Sequence, residues 1–134
     1  MRMAARPVRM APAKRSKYGA KRTTVDGIVF HSAAESRRYA ELRLLERAGQ
    51  ITDLKRQPSF ALMAAIVVGG LDNINEGRVT GMRIVGEYRA DFSYRERGQL
   101  VVEDVKGMQT LPLAAWKIRH MKAQYGITVR EIRR

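Results

Sequence analysis

The sequence predicts an α/β domain with a layered core, in which a small β-hairpin precedes the order helix, three strands, helix, strand. Two kinds of periodicity carry this prediction. Hydrophobic and polar residues alternate from Tyr88 to Tyr94, as in a half-buried strand, whereas Tyr39, Leu42 and Leu45 recur at the spacing of a helix face. A chain of 134 residues with 45% hydrophobic content can bury one core. We therefore expect a single α/β domain.

The predicted elements begin with a hairpin turn at Asp26-Gly27, a dipeptide that favours a tight connection between two short apolar runs. Helix one is predicted over residues 33–48. Ser32 has the side chain of a helix cap, Glu35 lies at the capping-box position, and Gly49 ends the helix. We expect the hairpin to lead directly into this capped helix.

The rest of the chain alternates between strand and helix patterns. The predicted elements are a strand over 51–63, a second up to 68, a loop over 69–77, strands over 88–94 and 100–106, a helix from a Thr110 cap to Gly126, and a last strand over 127–132. Alternation places four side chains on one face of strand 88–94: Tyr88, Ala90, Phe92 and Tyr94. A turn at Arg97-Gly98 makes this strand and the next an antiparallel pair, because Gly98 supplies a positive φ.

Positive charge dominates the chain, and it is concentrated at the amino terminus. Lys and Arg number 26 against 13 acidic residues, which gives a net charge of +13 and predicts a polyanionic partner, with nucleic acid as the leading one. Residues 1–22 contain no acid, and we expect them to form a disordered basic tail ahead of a domain over 23–134. The tail is either an arm that grips DNA or a solvated, solubilising segment.

The composition also indicates the compartment. The longest apolar run, from Phe60 to Leu71, falls short of the ~20 residues that a membrane span needs. The chain has no cysteine and so no disulfide framework. We therefore expect a cytoplasmic protein that does not enter a membrane.

Two carboxylates are predicted to face each other across the Arg97-Gly98 hairpin. A turn centred between these residues places Asp91 opposite Asp104, and alternation places Lys106 on the same face as Asp104. Directly opposed like charges destabilise a sheet unless a proton or a cation lies between them. We therefore expect a positive group at this constellation.

The residues alone leave alternatives open. A turn with an odd number of residues would shift the register by one and bring Glu103 opposite Asp91. Asp91 and Asp104 could also be separate surface charges, with Lys106 paired to one of them in solvent. Glu35, on the helix face that points toward the sheet, is either a capping residue or a further member of the site.

The constellation suits hydrolysis of a phosphodiester. Paired carboxylates bind Mg²⁺, which neutralises charge on the phosphate and lowers the pKa of the attacking water. Asp91 and Asp104 would hold the metal, while Lys106 would orient or help deprotonate that water. No covalent nucleophile is needed.

The ordered motifs resemble the PD-(D/E)XK nuclease superfamily, and more closely a family of small, phage-borne proteins of unassigned function within it. The likeness runs from about Lys17 to the carboxyl end. Its motifs are Lys17-Tyr18-Gly19, Asp26-Gly27-Ile28, Phe30-His31-Ser32 with Glu35, Gln57-Pro58, Ala90-Asp91-Phe92, and Val102-Glu103-Asp104-Val105-Lys106-Gly107. Ala90 replaces the proline of the superfamily's PD pair, and Asp104 is the shorter acid of its third motif.

The resemblance implies a restriction-endonuclease-like core, with helix, three-stranded mixed or antiparallel sheet, helix and strand. It implies an endonuclease of phage or mobile-element origin that cleaves DNA with Mg²⁺ or Mn²⁺, and that acts on branched, recombination or replication intermediates. Asp91, Asp104 and Glu35 would be its metal ligands, and Lys106 would lie beside the nucleophilic water. Gln57 would support the site, and Glu103 leaves the second ligand open by one residue. A homodimer would suit cleavage of both strands.

Basic residues of the tail and of the second helix are the candidate DNA contacts. They are Arg15, Lys17, Lys21, Arg22, Lys117, Arg119 and Lys122. Trp116 lies among the helical ones, where it could stack on a splayed base or belong to the core. The basic helix face is equally explained as a solvated surface.

Two other functions compete with the nuclease. One is a non-catalytic, basic DNA-binding accessory protein in phage recombination, replication or packaging. The other is an RNA-binding protein associated with ribosomes, which would need neither the opposed acids nor the metal. All three functions predict binding to nucleic acid, but only the nuclease predicts metal-dependent cleavage of a strand.

Overall fold

The structure, a computed structural model, describes residues 22–107 and 109–133. It is a mixed α/β fold, as the sequence predicts. The elements are β1 (Thr23–Val25), β2 (Ile28–Phe30), α1 (Ala33–Arg47), β3 (Thr52–Arg56), β4 (Ser59–Val68), a 3₁₀ turn (Ile74–Glu76), β5 (Arg78–Arg89), β6 (Phe92–Glu96), β7 (Gln99–Lys106), α2 (Pro112–Tyr125) and β8 (Arg130–Arg133). The predicted basic tail lies outside the described residues, apart from the exposed Arg22.

The leading hairpin and the first helix form as predicted. Asp26 and Gly27 both have positive φ, at 51° and 74°, which is the turn that fits the twist of a two-residue hairpin. The Ser32 side chain accepts a hydrogen bond from the backbone N–H of Glu35 and so caps α1. The helix starts at the predicted residue and ends one residue earlier than predicted.

A four-stranded sheet lies at the centre, in the order β3-β6-β7-β8. The prediction was a three-stranded sheet followed by a helix and a last strand, and in the structure that last strand, β8, is the fourth strand of the sheet. β6 and β7 are antiparallel, and their register pairs Glu96 with Gln99 and Tyr94 with Val101, which confirms the prediction made from the Arg97-Gly98 turn. β7 and β8 run parallel, with α2 as their crossover. The helix crossover lets β8 cover an edge that the hairpin would otherwise expose.

β4 and β5 form a separate two-stranded ribbon, here called the arm together with the loop over 69–77. The arm continues from the central sheet through a bend that both strands share, at 57–58 and at 90–91. The register is kept across this bend, because Arg56 pairs with Phe92 before it and Ser59 with Arg89 after it. The apolar side chains of Leu71 and Ile74 near the tip are exposed.

The predicted continuous strand over 88–94 is interrupted by the bend, because β5 ends at Arg89 and β6 begins at Phe92. Tyr88 and Ala90 pack in one buried cluster, whereas Phe92 and Tyr94 pack in another, so the four do not share a face. The prediction was wrong because the local alternation is regular, while the bend depends on the distant Gln57-Pro58 segment. There, Gln57 N–H donates to Asp91 O and Ala90 N–H to Pro58 O.

The two clusters lie on opposite faces of the central sheet. The α1 cluster consists of Phe30, Tyr39, Leu42, Ile51, Phe92 and Tyr94. The α2 cluster consists of Leu62, Tyr88, Ala90, Val102, Met121 and Val129. Since side chains alternate along a strand, neighbouring residues of β7 point to different clusters.

The second helix starts differently from the prediction. Its first residue is Pro112, and its cap position is Leu111, which makes no side-chain capping bond. The predicted cap, Thr110, instead donates its hydroxyl to Glu131 Oε1 at 2.6 Å. Proline needs no N–H partner in the first turn, so this helix tolerates an uncapped start. Over the residues that the structure describes, neither helix is long and apolar enough to cross a membrane.

Candidate functional site

Asp91 and Asp104 are held against each other by backbone hydrogen bonds. Asp104 Oδ1 accepts from the backbone N–H of Asp91 at 3.0 Å, and Asp91 Oδ2 accepts from the backbone N–H of Val105 at 2.7 Å. Each carboxylate is therefore bound to the chain segment that carries the other. This reciprocal pair, with Lys106 and Glu35, is called the acidic corner below.

The second oxygen of Asp104 has two partners. Tyr88 donates its hydroxyl to Asp104 Oδ2, and Lys106 Nζ lies 3.2 Å from the same atom. The Asp104 residue is only 5% exposed, so both contacts are shielded from bulk water. The structure thus brings together the predicted residues Asp91, Asp104 and Lys106.

Negative charge accumulates at the corner. Burial is the main cause that raises the pKa of Asp91, to about 7, and the charges of Glu35 and Asp104 raise it further. Burial also raises the pKa of Glu35, against the opposing effects of Arg56 and His31. Because these carboxyl groups repel one another at close range, a cation would stabilise the ionised corner.

Glu103 is not part of this corner. It pairs with Phe92 in the sheet register, so the alternative register that would bring it opposite Asp91 does not occur. Its side chain is fully buried on the α1 face, where Arg38 donates to both carboxylate oxygens at 2.7 and 3.0 Å. Tyr94 donates its hydroxyl to the same carboxylate. This bidentate ion pair fastens α1 to β7.

Gln57 lies directly across the bend from Asp91. Its backbone N–H donates to Asp91 O at 2.8 Å, and its own φ is +50°, a left-handed conformation. Its side chain is exposed. In this structure the residue therefore supports Asp91 through the main chain.

The donor set is suited to a hard cation. Among the described residues, no group of three or more His, Cys, Asp or Glu side chains is arranged to hold a metal ion. Mg²⁺, however, usually keeps several waters and binds one or two carboxylates together with substrate phosphates. Asp91 Oδ1 accepts no hydrogen bond from the part of the chain that the structure describes, so this oxygen is available as a ligand. The fit is to a site of two carboxylates, Asp91 and Asp104.

A cavity of about 570 Å³ opens beside the corner, between β5, β7 and α2. Its wall includes Asp104 and Lys106 together with two further basic residues, Arg89 and Lys117. Lys117 Nζ donates to the backbone carbonyl of Glu87 at 2.8 Å, which holds this base at the rim. A further acid, Glu87, also lines the cavity and pairs with Arg89 at 3.4 Å, so Lys106 and Lys117 are the cations there that an anionic ligand can use.

The other predicted DNA contacts lie apart from the corner. Arg119 stacks over the Trp116 ring at 5.2 Å, and Lys122 Nζ lies 3.4 Å from the Gly126 carbonyl at the end of α2. Arg15, Lys17 and Lys21 lie outside the described residues, and Arg22 is exposed.

Three residues around the site were missed from the sequence. Tyr88 was placed with Phe92 because the bend was not foreseen, and Arg56, which lowers the pKa of Glu35, carried no local signal. Arg38 did carry one: it lies on the face of α1 that points toward the sheet, where a base needs an acidic partner.

Comparison with known proteins gives one result. No curated protein and no solved structure matches the chain. A protein family matches residues 15–132, which is most of the sequence and includes every member of the acidic corner. The chain therefore belongs to the family described as "Protein of unknown function (DUF1064)".

Proposed function

We propose that this protein is a Mg²⁺-dependent endonuclease that hydrolyses phosphodiester bonds of DNA at the acidic corner. One observation carries the proposal: Asp91 and Asp104 come from adjoining strands and are locked together by each other's backbone, with Lys106 Nζ 3.2 Å from Asp104. Such locking fixes the geometry of the acids before substrate arrives, which is how preorganised sites lower a barrier.

Each residue of the corner has a distinct role in the proposal. Asp91 and Asp104 are the ligands, and Glu35 adds negative charge from α1. Bound Mg²⁺ would neutralise charge on the phosphate and acidify a water. Lys106 orients that water and stabilises the developing charge. Tyr88 holds Asp104 by its hydroxyl, so the carboxylate keeps one rotamer.

The charge pattern supports an anionic substrate. The chain has twice as many bases as acids, yet acids gather at this corner and bases line the neighbouring cavity. A phosphodiester backbone meets both demands, because its phosphates pair with the bases while the metal bridges it to the acids. An uncharged substrate would explain neither.

The resemblance to PD-(D/E)XK nucleases supports the same assignment. Asp91, Asp104 and Lys106 stand in the order that this superfamily uses, after a helix that carries Glu35. From that resemblance the proposal includes a phage or mobile-element origin and branched recombination or replication intermediates as substrates. The absence of cysteine supports action in the cytoplasm.

The test is cleavage of plasmid, linear, single-stranded and four-way-junction DNA with Mg²⁺, with Mn²⁺ and with chelator. Asp91→Asn and Lys106→Ala should each lower the rate about 100-fold or more, while DNA binding stays nearly unchanged. Matched controls are Asp72→Asn and Lys55→Ala, which change the same charges at exposed positions. If the corner variants cut as fast as these controls, the site assignment is wrong.

A second function, a DNA-binding accessory protein without catalysis, is favoured by one observation. Within the described residues, no trio of ligand side chains is arranged around a metal, and Asp104 already has protein partners on both oxygens. On this alternative the corner is purely structural. DNA binding that falls steeply with salt, with no metal-dependent scission of any substrate, would establish it.

A further inference from the structure

A second cavity lies between α2 and the arm, away from the acidic corner. Its volume is about 600 Å³, and its wall includes Met63 and Met82 of the arm with Trp116, Arg119 and His120 of α2. It shares no lining residue with the cavity beside Asp104. The proposed nuclease site therefore does not explain it.

The wall that α2 contributes is an aromatic ring with a cation above it. Trp116 is 63% exposed, and the Arg119 guanidinium lies 5.2 Å from the ring centroid. A tryptophan with this exposure contributes little to the core, and it offers a large flat face to a partner. Aromatic faces and guanidinium planes are the surfaces on which single-stranded nucleic acids stack their bases.

The floor of the cavity is held in place by hydrogen bonds between α2 and β4. His120 Nε2 lies 2.8 Å from Met63 O and 3.1 Å from Gln124 Oε1. Gln124 Oε1 also accepts from the backbone N–H of Met63, so both neighbours of Nε2 are acceptors. The His120 Nε2 therefore carries a proton and donates to these acceptors, which fixes the ring against β4.

The charge of the surroundings selects the ligand class. Lys117 and Lys122 flank Trp116 and Arg119 on α2, within a chain of net charge +13. A flat, partly apolar group attached to a polyanion matches this surface, whereas an apolar peptide would leave the Arg119 guanidinium in the cavity wall without an anion. A nucleobase on its phosphate backbone is such a group.

We propose that this cavity binds an unpaired base of a nucleic-acid strand, stacked on Trp116. Along β5, Met82 and Tyr88 are six positions apart, or roughly 20 Å, so one strand can reach both the cavity and the acidic corner. A base inside a duplex is stacked on its neighbours, so it cannot also stack on Trp116. The inference rests on the proposed function for its partner class, and it deepens that function: the substrate has a single-stranded segment close to the point of cleavage.

The test uses the intrinsic fluorescence of Trp116, the only tryptophan in the chain. Full-length protein carrying Asp91→Asn is titrated in chelator with a single-stranded 15-mer and with a duplex of the same length. Stacking should quench the emission with the single strand and leave it nearly unchanged when the duplex binds. Equal quenching by both, or binding of the single strand without quenching, would overturn the proposal.

Variants measured with a labelled single strand test the same point without the fluorophore. Trp116→Ala should weaken binding about tenfold, whereas Trp116→Phe keeps a stacking ring and should retain most of the affinity. The control is Leu44→Ala, which removes an exposed apolar side chain of α1 that is remote from the cavity. Equal losses for Trp116→Ala and Leu44→Ala would also reject the base site.

The two proposals fail separately, because this binding is measured without metal and without cleavage. Quenching by the single strand, with no scission under any condition, would leave the base site standing and remove the nuclease. Scission at the acidic corner without quenching would do the opposite. If an acidic peptide quenches Trp116 as strongly as the single strand, the cavity recognises anionic protein and the proposal is wrong.

Discussion

Glu103 and Asp104 are neighbours on β7, yet their buried carboxylates have different surroundings. Glu103 points to the α1 face, where Arg38 binds both of its oxygens and Tyr94 adds a hydroxyl. Asp104 points to the α2 face, where Tyr88 supplies the hydroxyl and Lys106 the cation, but Asp91 and Glu35 add further negative charge. Glu103 has a bidentate arginine, whereas the charge of Lys106 acts on both Asp104 and Asp91.

The difference separates a structural acid from a candidate functional one. A buried carboxylate that has its own bidentate arginine needs nothing more from solution. Carboxylates that outnumber their cations depend on a proton, a metal or a substrate to complete the balance. Burial and residue type are alike for Glu103 and Asp104, so the supply of cations distinguishes them.

The largest effect is expected on the α1 face. Arg38→Met removes the partner of Glu103 and leaves a fully buried carboxylate without a cation, which should lower the free energy of unfolding by about 3–5 kcal/mol. Denaturant unfolding measures it. Arg37→Met, at the exposed neighbouring position, is the matched control and should change little. Equal losses would mean that the ion pair is not what holds α1 to the sheet.

A smaller effect, with a definite sign, is expected from Asp91. Its pKa is about 7 in the folded protein, above the value of about 3.9 that it has when unfolded. The folded state therefore holds this proton more tightly, and the stability that the proton contributes is fully present below pH 4 and is lost as the pH rises through 7. Asp91→Asn should therefore melt higher relative to wild type at pH 8 than at pH 5. Thermal melts at both values measure this gap.

Mg²⁺ should reduce the difference in melting temperature between Asp91→Asn and wild type at pH 8. A ligand that binds only the folded state raises the melting temperature, and only the wild type keeps the Asp91 ligand. Asp72→Asn, at an exposed position, is the control: it keeps the acidic corner, so its melting temperature should differ from that of the wild type by the same amount at every pH, with or without Mg²⁺. A constant difference between wild type and Asp91→Asn across the pH range would contradict the charge imbalance.

Tyr88 and Tyr94 allow a matched comparison, with a smaller expected change in the free energy of unfolding. Tyr88→Phe and Tyr94→Phe each remove one hydroxyl from a buried carboxylate, at an expected cost of about 1–3 kcal/mol. Tyr88→Phe should cost more, because Glu103 keeps its bidentate Arg38. It should also weaken Mg²⁺ stabilisation, whereas Tyr94→Phe should not. Chemical unfolding with and without Mg²⁺ compares them, and the reverse order would refute the distinction.

The smallest effect is expected from Glu35→Gln. The cap of α1 uses the backbone N–H of Glu35 and the Ser32 side chain, so the substitution leaves the cap intact. Removing one negative charge from the corner should slightly raise stability at pH 8 and increase the Mg²⁺ concentration needed for stabilisation. Loss of helix stability, measured by circular dichroism, would instead mean that the side chain serves the helix alone.

Local sequence patterns predicted much of the structure that surrounds the acidic corner. The Arg97-Gly98 turn determines the register of β6 and β7, and that register places Asp91 near Asp104. The Asp26-Gly27 hairpin and the Ser32 cap also follow from neighbouring residues. Each of these depends on contacts that are short in sequence, which is why pattern reasoning reached them.

The features that the sequence did not predict depend on contacts between distant segments of the chain. Nothing near Tyr88 marks the bend after it, because the bend is shared with Gln57-Pro58 on another strand. Thr110 has the side chain of a cap, but Glu131 of β8 competes for its hydroxyl. The pairing of Arg38 with Glu103 joins residues 65 positions apart. In each case a tertiary partner outweighs the local preference.

The shared bend also has a mechanical consequence. Asp91 is anchored in the bend twice, by its carbonyl to Gln57 and by its carboxylate to Val105. A change in the angle between the arm and the central sheet would strain these hydrogen bonds together with the one from Ala90 N–H to Pro58 O, so we expect the position of Asp91 to depend on that angle. The arm and the Asp91 carboxylate are therefore linked through the backbone of the bend.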